Sequence, residues 1–163
     1  MKNLIFILSL FYVALPAQAA NDTMFGAFGG AGYSAVDVNS SGEATATREP
    51  GGAFGVSVST PAFSAADIEI GIVRQQDYLQ IPLLLRVGTD RLLTAALGIF
   101  GETGASNRTD RDFVFGPMLV LGLNFNISEK LNAFAEGRYL QDFDDDVEDG
   151  GLMALAGLRF SIN

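Results

Sequence analysis

Residues 66–74 have the sequence ADIEIGIVR. Isoleucines occupy every second position of the central part of this stretch: Ile68, Ile70 and Ile72. Charged or small residues occupy the alternate positions: Asp67, Glu69 and Gly71. Successive side chains of a β-strand point to opposite sides, so the stretch predicts a strand with one apolar face and one polar face.

The same period of two recurs in eight segments along the chain. They span residues 24–36, 52–60, 66–74, 78–87, 91–101, 112–125, 131–141 and 151–162. Long polar links lie at 37–51, 102–111 and 142–150, a shorter member of that set lies at 75–77, and tight turns lie at 61–64, 88–90 and 126–130. Bacterial outer-membrane barrels alternate short periplasmic turns with longer external loops, and their strands need about 9–11 residues to cross. The sequence therefore predicts an all-β fold, an eight-stranded antiparallel up-and-down transmembrane β-barrel.

Two prolines fall inside predicted strands. Pro82 and Pro117 lack the backbone N–H that a strand ladder uses, and a closed barrel has no edge strand where that loss is harmless. We therefore expect each proline to mark a bulge or a local break in the ladder.

Aromatic residues fall near the ends of predicted strands. They are Phe25, Tyr33, Tyr78, Phe100, Phe113, Phe125, Tyr139 and Phe160. In a membrane barrel such residues form two girdles at the membrane–water interfaces, whereas in a soluble barrel they would fill a core. The apolar alternation of the strands favours the girdles.

The first 19 residues predict a secretory signal peptide. Lys2 precedes an apolar run over residues 4–15, and residues 17–19 form a small-residue cleavage site, AQA. The run is too short for a membrane-spanning helix, which needs about 20 residues. We expect cleavage before Ala20, and a single outer-membrane β-barrel domain over residues 20–163 located in the outer membrane of a Gram-negative cell.

Composition excludes several functional classes. The formal net charge is −9, which argues against nucleic-acid binding because that requires a basic surface. Histidine and cysteine are absent, so serine–histidine and cysteine–histidine nucleophiles and histidine-ligated zinc are excluded. We expect no cofactor and no catalytic activity.

The polar faces of the predicted strands carry charges into the barrel lumen. These are three acids and three bases: Asp67, Glu69, Arg86, Glu136, Arg138 and Arg159. Unpaired charges in a confined interior cost several kcal/mol each, and an eight-stranded barrel is only just wide enough for its own side chains. The set predicts a salt-bridge network that fills the lumen. The alternative is a narrow ion path lined by the same charges.

One predicted external loop is strongly acidic. Its acidic residues are Asp142, Asp144, Asp145, Asp146, Glu148 and Asp149. Such oxygen density suits weak binding of calcium or magnesium, but Val147 and Met153 occupy positions where an EF-hand needs glycine and glutamate. The alternative is a solvated loop whose charges repel one another.

Three stretches resemble porin-family outer-membrane β-barrel domains. They are YLQIPLLLR at 78–86, SEKL at 128–131 leading to EGRY at 136–139, and GLRFSI at 157–162. The last resembles a C-terminal barrel-assembly signal through Gly157, Phe160 and Ile162, although the chain ends in Asn163 and not in an aromatic residue. The resemblance implies a small eight-stranded barrel of the OmpA and OmpX type. It carries over no catalytic residue, because the family shares none.

These features predict a small outer-membrane barrel with a structural or surface-interaction role. The alternatives are a narrow porin-like channel for ions or small solutes, a membrane-embedded lipid hydrolase or acyltransferase, and a soluble secreted barrel that binds an apolar ligand. The expected partners are outer-membrane lipid, lipopolysaccharide and the barrel-assembly machinery during biogenesis, together with an unidentified extracellular partner. We expect a monomer.

Overall fold

The computed structural model describes residues 22–38, 44–46, 51–63, 65–75, 78–89, 92–103, 113–141, 143 and 150–162. They form nine β-strands: β1 (Thr23–Val38), β2 (Ala44–Ala46), β3 (Gly51–Phe63), β4 (Ala66–Gln75), β5 (Tyr78–Val87), β6 (Leu93–Thr103), β7 (Phe113–Ser128), β8 (Leu131–Gln141) and β9 (Gly150–Ile162). Among these residues, no helix is long and apolar enough to cross a membrane. The predicted signal peptide and its cleavage site lie outside the described residues.

Eight of the strands form a closed antiparallel barrel. From β3 to β9, each strand pairs with the strand that follows it in the sequence, and β1 pairs with both β3 and β9. Closure supplies partners for backbone groups on both sides of every strand, which is the condition for a sheet in lipid. The predicted eight-stranded up-and-down barrel is therefore confirmed.

Strand boundaries differ from the predictions mainly at the ends. The segments at 78–87 and 131–141 match β5 and β8 to the residue. β2 was predicted as loop, but it extends the pairing of β1 at Val36–Val38. Gln75 and Glu102, which were assigned to links, belong to β4 and β6 because the alternation continues through them.

The barrel exterior carries a broad aliphatic band. Its side chains are between 39% and 61% exposed and come from strands all around the sheet: Val56, Ile68, Ile70, Ile72, Ile81, Leu83, Leu85, Leu97, Ile99, Leu121, Leu123 and Leu158. So large an apolar surface marks a membrane or protein contact, because soluble monomers rarely expose contiguous patches of this kind. The alternation of the sequence thus places isoleucine, leucine and valine on the outside of the barrel.

Exposed aromatic side chains flank the aliphatic band. Near the end where β1 begins and β9 ends, called the termini end below, they are Phe25, Phe63, Phe125 and Phe160. Near the opposite end, called the loop end, they are Phe54, Phe113, Phe115, Tyr139 and Phe143. Aromatic residues at both limits of an apolar band are typical of membrane barrels.

Two of the aromatic residues predicted for the girdles face inward instead. Tyr78 is 2% exposed and Phe100 is 4% exposed, whereas Phe25, Phe113 and Phe125 face outward as predicted. The physical reason is the pleat, because Tyr78 shares the inward face of β5 with Arg86. The side chain of Tyr33 lies outside the described part of the chain.

The two strand prolines are accommodated differently. At Pro82 the β4–β5 register is unshifted, but no pairing joins Gly71 or Ile72 to β5, so the predicted local break is confirmed. A Cβ on Gly71 would lie 3.3 Å from Cγ of Pro82, so the glycine leaves room for the ring. At Pro117 the expected bulge or break was wrong: its pairing with β6 is regular, and pairing of β7 with β8 begins one residue later.

Candidate functional site

The six charged residues predicted for the lumen are all buried. None exceeds 5% exposure: Asp67, Glu69, Arg86, Glu136, Arg138 and Arg159. Each occupies an inward position of β4, β5, β8 or β9, because the apolar residues beside it in the sequence face outward. Five of them meet in one group, called here the ionic cluster: Glu69, Arg86, Glu136, Arg138 and Arg159.

Neighbouring strands β4 and β5 contribute the first ion pair of the cluster. Nε of Arg86 donates to Oε2 of Glu69 at 2.8 Å, and its Nη2 donates to Oε1 at 3.2 Å. Two parallel bonds between a guanidinium and a carboxylate hold both groups in one orientation. The pair therefore holds both side chains in fixed positions on the inner wall of the barrel.

Glu136 joins this pair to the far side of the barrel. Its carboxylate lies 3.0 Å from Nη2 of Arg86, 2.5 Å from Nη2 of Arg138 and 3.2 Å from Nη2 of Arg159. Strand β5 is not a neighbour of β8, so the contact with Arg86 crosses the lumen. Glu136 is thus the one carboxylate in the described cluster that lies within 3.2 Å of all three arginines.

Two phenylalanines pack against the guanidinium groups. The ring centre of Phe28 lies 5.0 Å from Cζ of Arg138, and that of Phe134 lies 3.8 Å from Cζ of Arg159. The two rings themselves meet edge to face at 6.1 Å. Aromatic faces attract desolvated cations, so these contacts offset part of the cost of burying the arginines.

Asp67, the sixth predicted charge, is hydrogen bonded to a turn at the termini end of the lumen. Its Oδ2 accepts a hydrogen bond of 2.7 Å from the hydroxyl of Thr89, in the turn between β5 and β6. The ion pairs given above join Glu69, Arg86, Glu136, Arg138 and Arg159, and Asp67 lies closer to the termini end of β4 than Glu69 does. A single network of all six charges stays a prediction.

Sequence reasoning missed a further buried acid. Glu102 is 2% exposed in the lumen, and Oε2 of its carboxylate accepts a 3.3 Å hydrogen bond from Nε2 of Gln80. The sequence pattern places Glu102 in the predicted external link at 102–111. The available signal was the alternation of β6, which places Phe100 and Glu102 on the same inward face as Ala96.

Apolar side chains occupy much of the rest of the described lumen. Its buried side chains form one packed group: Phe28, Ala53, Val73, Leu84, Ala96, Phe100, Val114, Met118, Val120, Phe134, Leu140, Met153 and Leu155. Interiors of this kind are close-packed and leave few voids larger than a water molecule. The ionic cluster and this apolar group therefore both lie inside the described part of the barrel.

A cavity of about 640 Å³ lies on the outer face of the sheet and not in the lumen. Small outward residues form much of its wall, including Gly29, Ala135, Ala154 and Ala156. It is an open apolar groove within the aliphatic band. Its mostly apolar lining suits contact with hydrocarbon.

The described residues form no metal-binding site. Among those residues, no three acidic, histidine or cysteine side chains are grouped to hold an ion. Most of the acidic loop lies outside the described residues, namely Asp142, Asp144, Asp145, Asp146, Glu148 and Asp149. Its binding of calcium or magnesium stays a prediction.

The three residues of the predicted assembly signal lie in β9. Phe160 and Ile162 face outward with exposures of 45% and 52%. Gly157 faces inward, where a Cβ would clash with the carbonyl oxygen of Ala27 and lie 2.6 Å from Cβ of Phe28. The glycine therefore has a packing role at the β1–β9 seam, and recognition by the assembly machinery stays a prediction.

Comparison with solved structures identifies the fold. The N-terminal β-barrel domain of Pseudomonas aeruginosa OprF aligns with a TM-score of 0.65 at 13% identity, covering 87% of this chain and 98% of that domain. The outer membrane protein OprG from Pseudomonas aeruginosa gives 0.53 at 14% identity, covering 90% and 98% of the two chains. The outer membrane protein AlkL gives 0.51 at 11% identity, covering 91% and 95%.

The chain therefore has the fold of the small eight-stranded β-barrels of Gram-negative outer membranes. Its sequence matches no protein-family model and no curated protein sequence. The resemblance noted in the sequence is thus confirmed in the fold.

Proposed function

We propose that the protein is a closed, non-catalytic barrel of the outer membrane whose role is structural or is exercised through its external loops. The observation that carries this proposal is the occupied lumen, in which the ionic cluster lies against the packed apolar group. A barrel of eight strands has an interior only wide enough for side chains. The apolar exterior and its aromatic margins support the membrane location.

One observation favours a channel as the second candidate. In the described part of the barrel, three buried guanidinium nitrogens have no hydrogen-bond partner: Nη1 of Arg86, Nη1 of Arg138 and Nε of Arg159. Buried donors are normally satisfied, and water satisfies those that the protein does not. Water near the cluster would be the start of a hydrated path.

Conductance in a planar bilayer separates the two candidates. The protein is isolated from the outer-membrane fraction, where the closed barrel is expected to migrate differently in detergent gels before and after boiling. We expect the unboiled protein to give no discrete current steps, because the lumen is filled. Reproducible steps that grow with salt concentration would contradict the closed barrel and establish the channel.

We also propose three kinds of contact for the barrel. Outer-membrane lipid and lipopolysaccharide would surround the aliphatic band, the barrel-assembly machinery would recognise the end of β9, and an extracellular partner would meet the acidic loop. The oligomeric state that we propose is a monomer. The absence of histidine and cysteine from the sequence supports a role without nucleophilic catalysis.

The acidic loop is expected to bind a divalent cation weakly. Calcium titration of the folded barrel by calorimetry should give a heat that is lost when Asp144, Asp145 and Asp146 are changed together to asparagine, because carboxylate oxygens are the calcium ligands. A variant with Glu129→Gln, in the exposed turn between β7 and β8, serves as the control. Equal heats in the triple variant and the control would contradict calcium binding by these three carboxylates.

A further inference from the structure

Three described residues between β5 and β6, namely Gly88, Thr89 and Leu92, are called the turn below, and Thr89 is bound to inward residues at the termini end of the lumen. Gly88 has a φ of 77°, and a Cβ there would clash with the carbonyl oxygen of Leu93. Only glycine adopts this conformation without cost, so the reversal of the chain is fixed at this point. The next residue, Thr89, is only 7% exposed although it lies between two strands.

The turn is bound to the lumen wall on the side of β4. The hydroxyl of Thr89 donates to Oδ2 of Asp67 at 2.7 Å. Asp67 is itself 4% exposed on the inward face of β4. A charge-assisted bond of this kind is stronger than a neutral one, and it holds the turn over the lumen.

On the opposite side, Asn124 of β7 makes three contacts with the same turn. Its backbone N–H donates to the carbonyl of Leu92 at 2.8 Å. Its side-chain Nδ2 donates to the carbonyl of Thr89 at 3.1 Å and lies 3.5 Å from that of Gly88. Asn124 is 4% exposed, so the contacts are shielded from water.

Asn124 also connects the turn to the ionic cluster. Its Oδ1 accepts a hydrogen bond of 3.1 Å from Nη1 of Arg159. Nη2 of the same arginine lies 3.2 Å from Glu136. A continuous chain of hydrogen bonds therefore runs from the backbone of the turn to the centre of the lumen.

From these contacts we infer that Gly88 and Thr89 close the termini end of the lumen, forming what is called here the stopper, and that Asn124 connects them to the ionic cluster. The stopper goes beyond the proposed role of the barrel, because it assigns the seal at one end to two named side chains, Thr89 and Asn124. Movement of the turn away from the barrel breaks their bonds to Asp67 and to the carbonyl of Thr89. Access to the lumen from the termini end then follows the opening of the turn.

Cysteine labelling measures this access directly, because the chain contains no cysteine of its own. Ser59→Cys places one thiol on the inward face of β3, where Ser59 is 3% exposed and pairs with Glu69. The folded barrel in detergent micelles is treated with a small cationic methanethiosulfonate reagent. The labelling rate is compared with and without Asn124→Ala in the same chain.

We expect Asn124→Ala to accelerate labelling about tenfold or more, because two hydrogen bonds that hold the turn are lost and the open population rises in proportion. Asn126→Ala is the matched control, since Asn126 lies two residues further along β7 and is exposed. Labelling through the loop end is the same in both variants and cancels in the comparison. The shift in gel mobility on boiling confirms that each variant is a closed barrel.

Thr89→Val provides a second test that leaves Asn124 and its bond to Arg159 in place. It removes only the hydroxyl bond to Asp67, and it should also accelerate labelling. If Asn124→Ala does not yield a closed barrel, the labelling rates of Thr89→Val and Asn126→Ala are compared to test the stopper. Equal labelling rates in the variants and the control, or rapid labelling of Ser59→Cys alone, would overturn the stopper.

The labelling result is independent of the proposed function. Current steps from the unmodified protein would overturn the closed barrel as its role, whereas the labelling ratio tests only whether the turn controls access at the termini end. The two failures are therefore distinguishable.

Discussion

Changing Glu136 to glutamine is expected to lower the free energy of unfolding by about 3–5 kcal/mol, because it leaves buried guanidinium charge without its partner. Glutamine keeps the size of the side chain, so the loss reports on charge and not on a cavity. Glu136 lies within 3.2 Å of all three arginines of the cluster, and the remaining carboxylate, Glu69, would face them alone. Urea unfolding of the barrel in lipid vesicles, followed by far-ultraviolet circular dichroism, measures the change.

The control for this prediction is Glu129→Gln. Glu129 lies in the exposed turn between β7 and β8, so the same chemical change should alter the free energy of unfolding by less than about 0.5 kcal/mol. Equal effects of the two substitutions would show that the cluster does not stabilise the barrel.

The same unfolding assay also measures the coupling free energy between Glu136 and Arg138. The double variant with Glu136→Gln and Arg138→Gln should lose less stability than the sum of its single variants, by about 1 kcal/mol or more. The reason is that Nε and Nη2 of Arg138 both contact Oε1 of Glu136, so either substitution removes the same bonds. Strict additivity would mean that the two side chains act independently.

The fold could be predicted from the sequence because its signals are local. A period of two appears within any one strand, and in β5 and β8 it defines both ends of the strand to the residue. The boundaries failed where polar residues continued the pattern, as at Gln75 and Glu102, because a polar residue after an apolar run looks like the start of a loop. The inward or outward direction of a side chain still followed from its position in the alternation.

The partners within the site could not be predicted in the same way. Which inward charges meet depends on the stagger between strands and on the width of the lumen, and neither is encoded in a single strand. Glu136 therefore reaches Arg86 across the barrel, while Asp67 binds Thr89 in a turn. Asn124 was missed for a related reason, since an asparagine near the end of a strand is typical of turns and its contacts come from distant parts of the chain.

Changing Gly30 to alanine is expected to prevent closure of the barrel or to lower its free energy of unfolding by about 3 kcal/mol. Gly30 lies in β1 opposite Leu155 of β9, at the seam that joins the first strand to the last. A Cβ on Gly30 would clash with the carbonyl oxygen of Ala154 and lie 2.9 Å from Cα of Leu155. Both atoms belong to the backbone, so relief requires separation of the paired strands and not rotation of a side chain.

The adjacent residue supplies a matched control for this substitution. A Cβ on Gly29 would meet only the carbonyl oxygen of Ala53, at an ordinary contact distance of 3.6 Å, so Gly29→Ala should fold and unfold like the unmodified protein. The two variants have the same composition and alter neighbouring positions of one strand. Comparison of the boiled and unboiled gel mobility gives the fraction of closed barrel, and urea unfolding gives the stability of that fraction. Equal closure and stability for the two variants would contradict the close approach of β1 and β9 at Gly30.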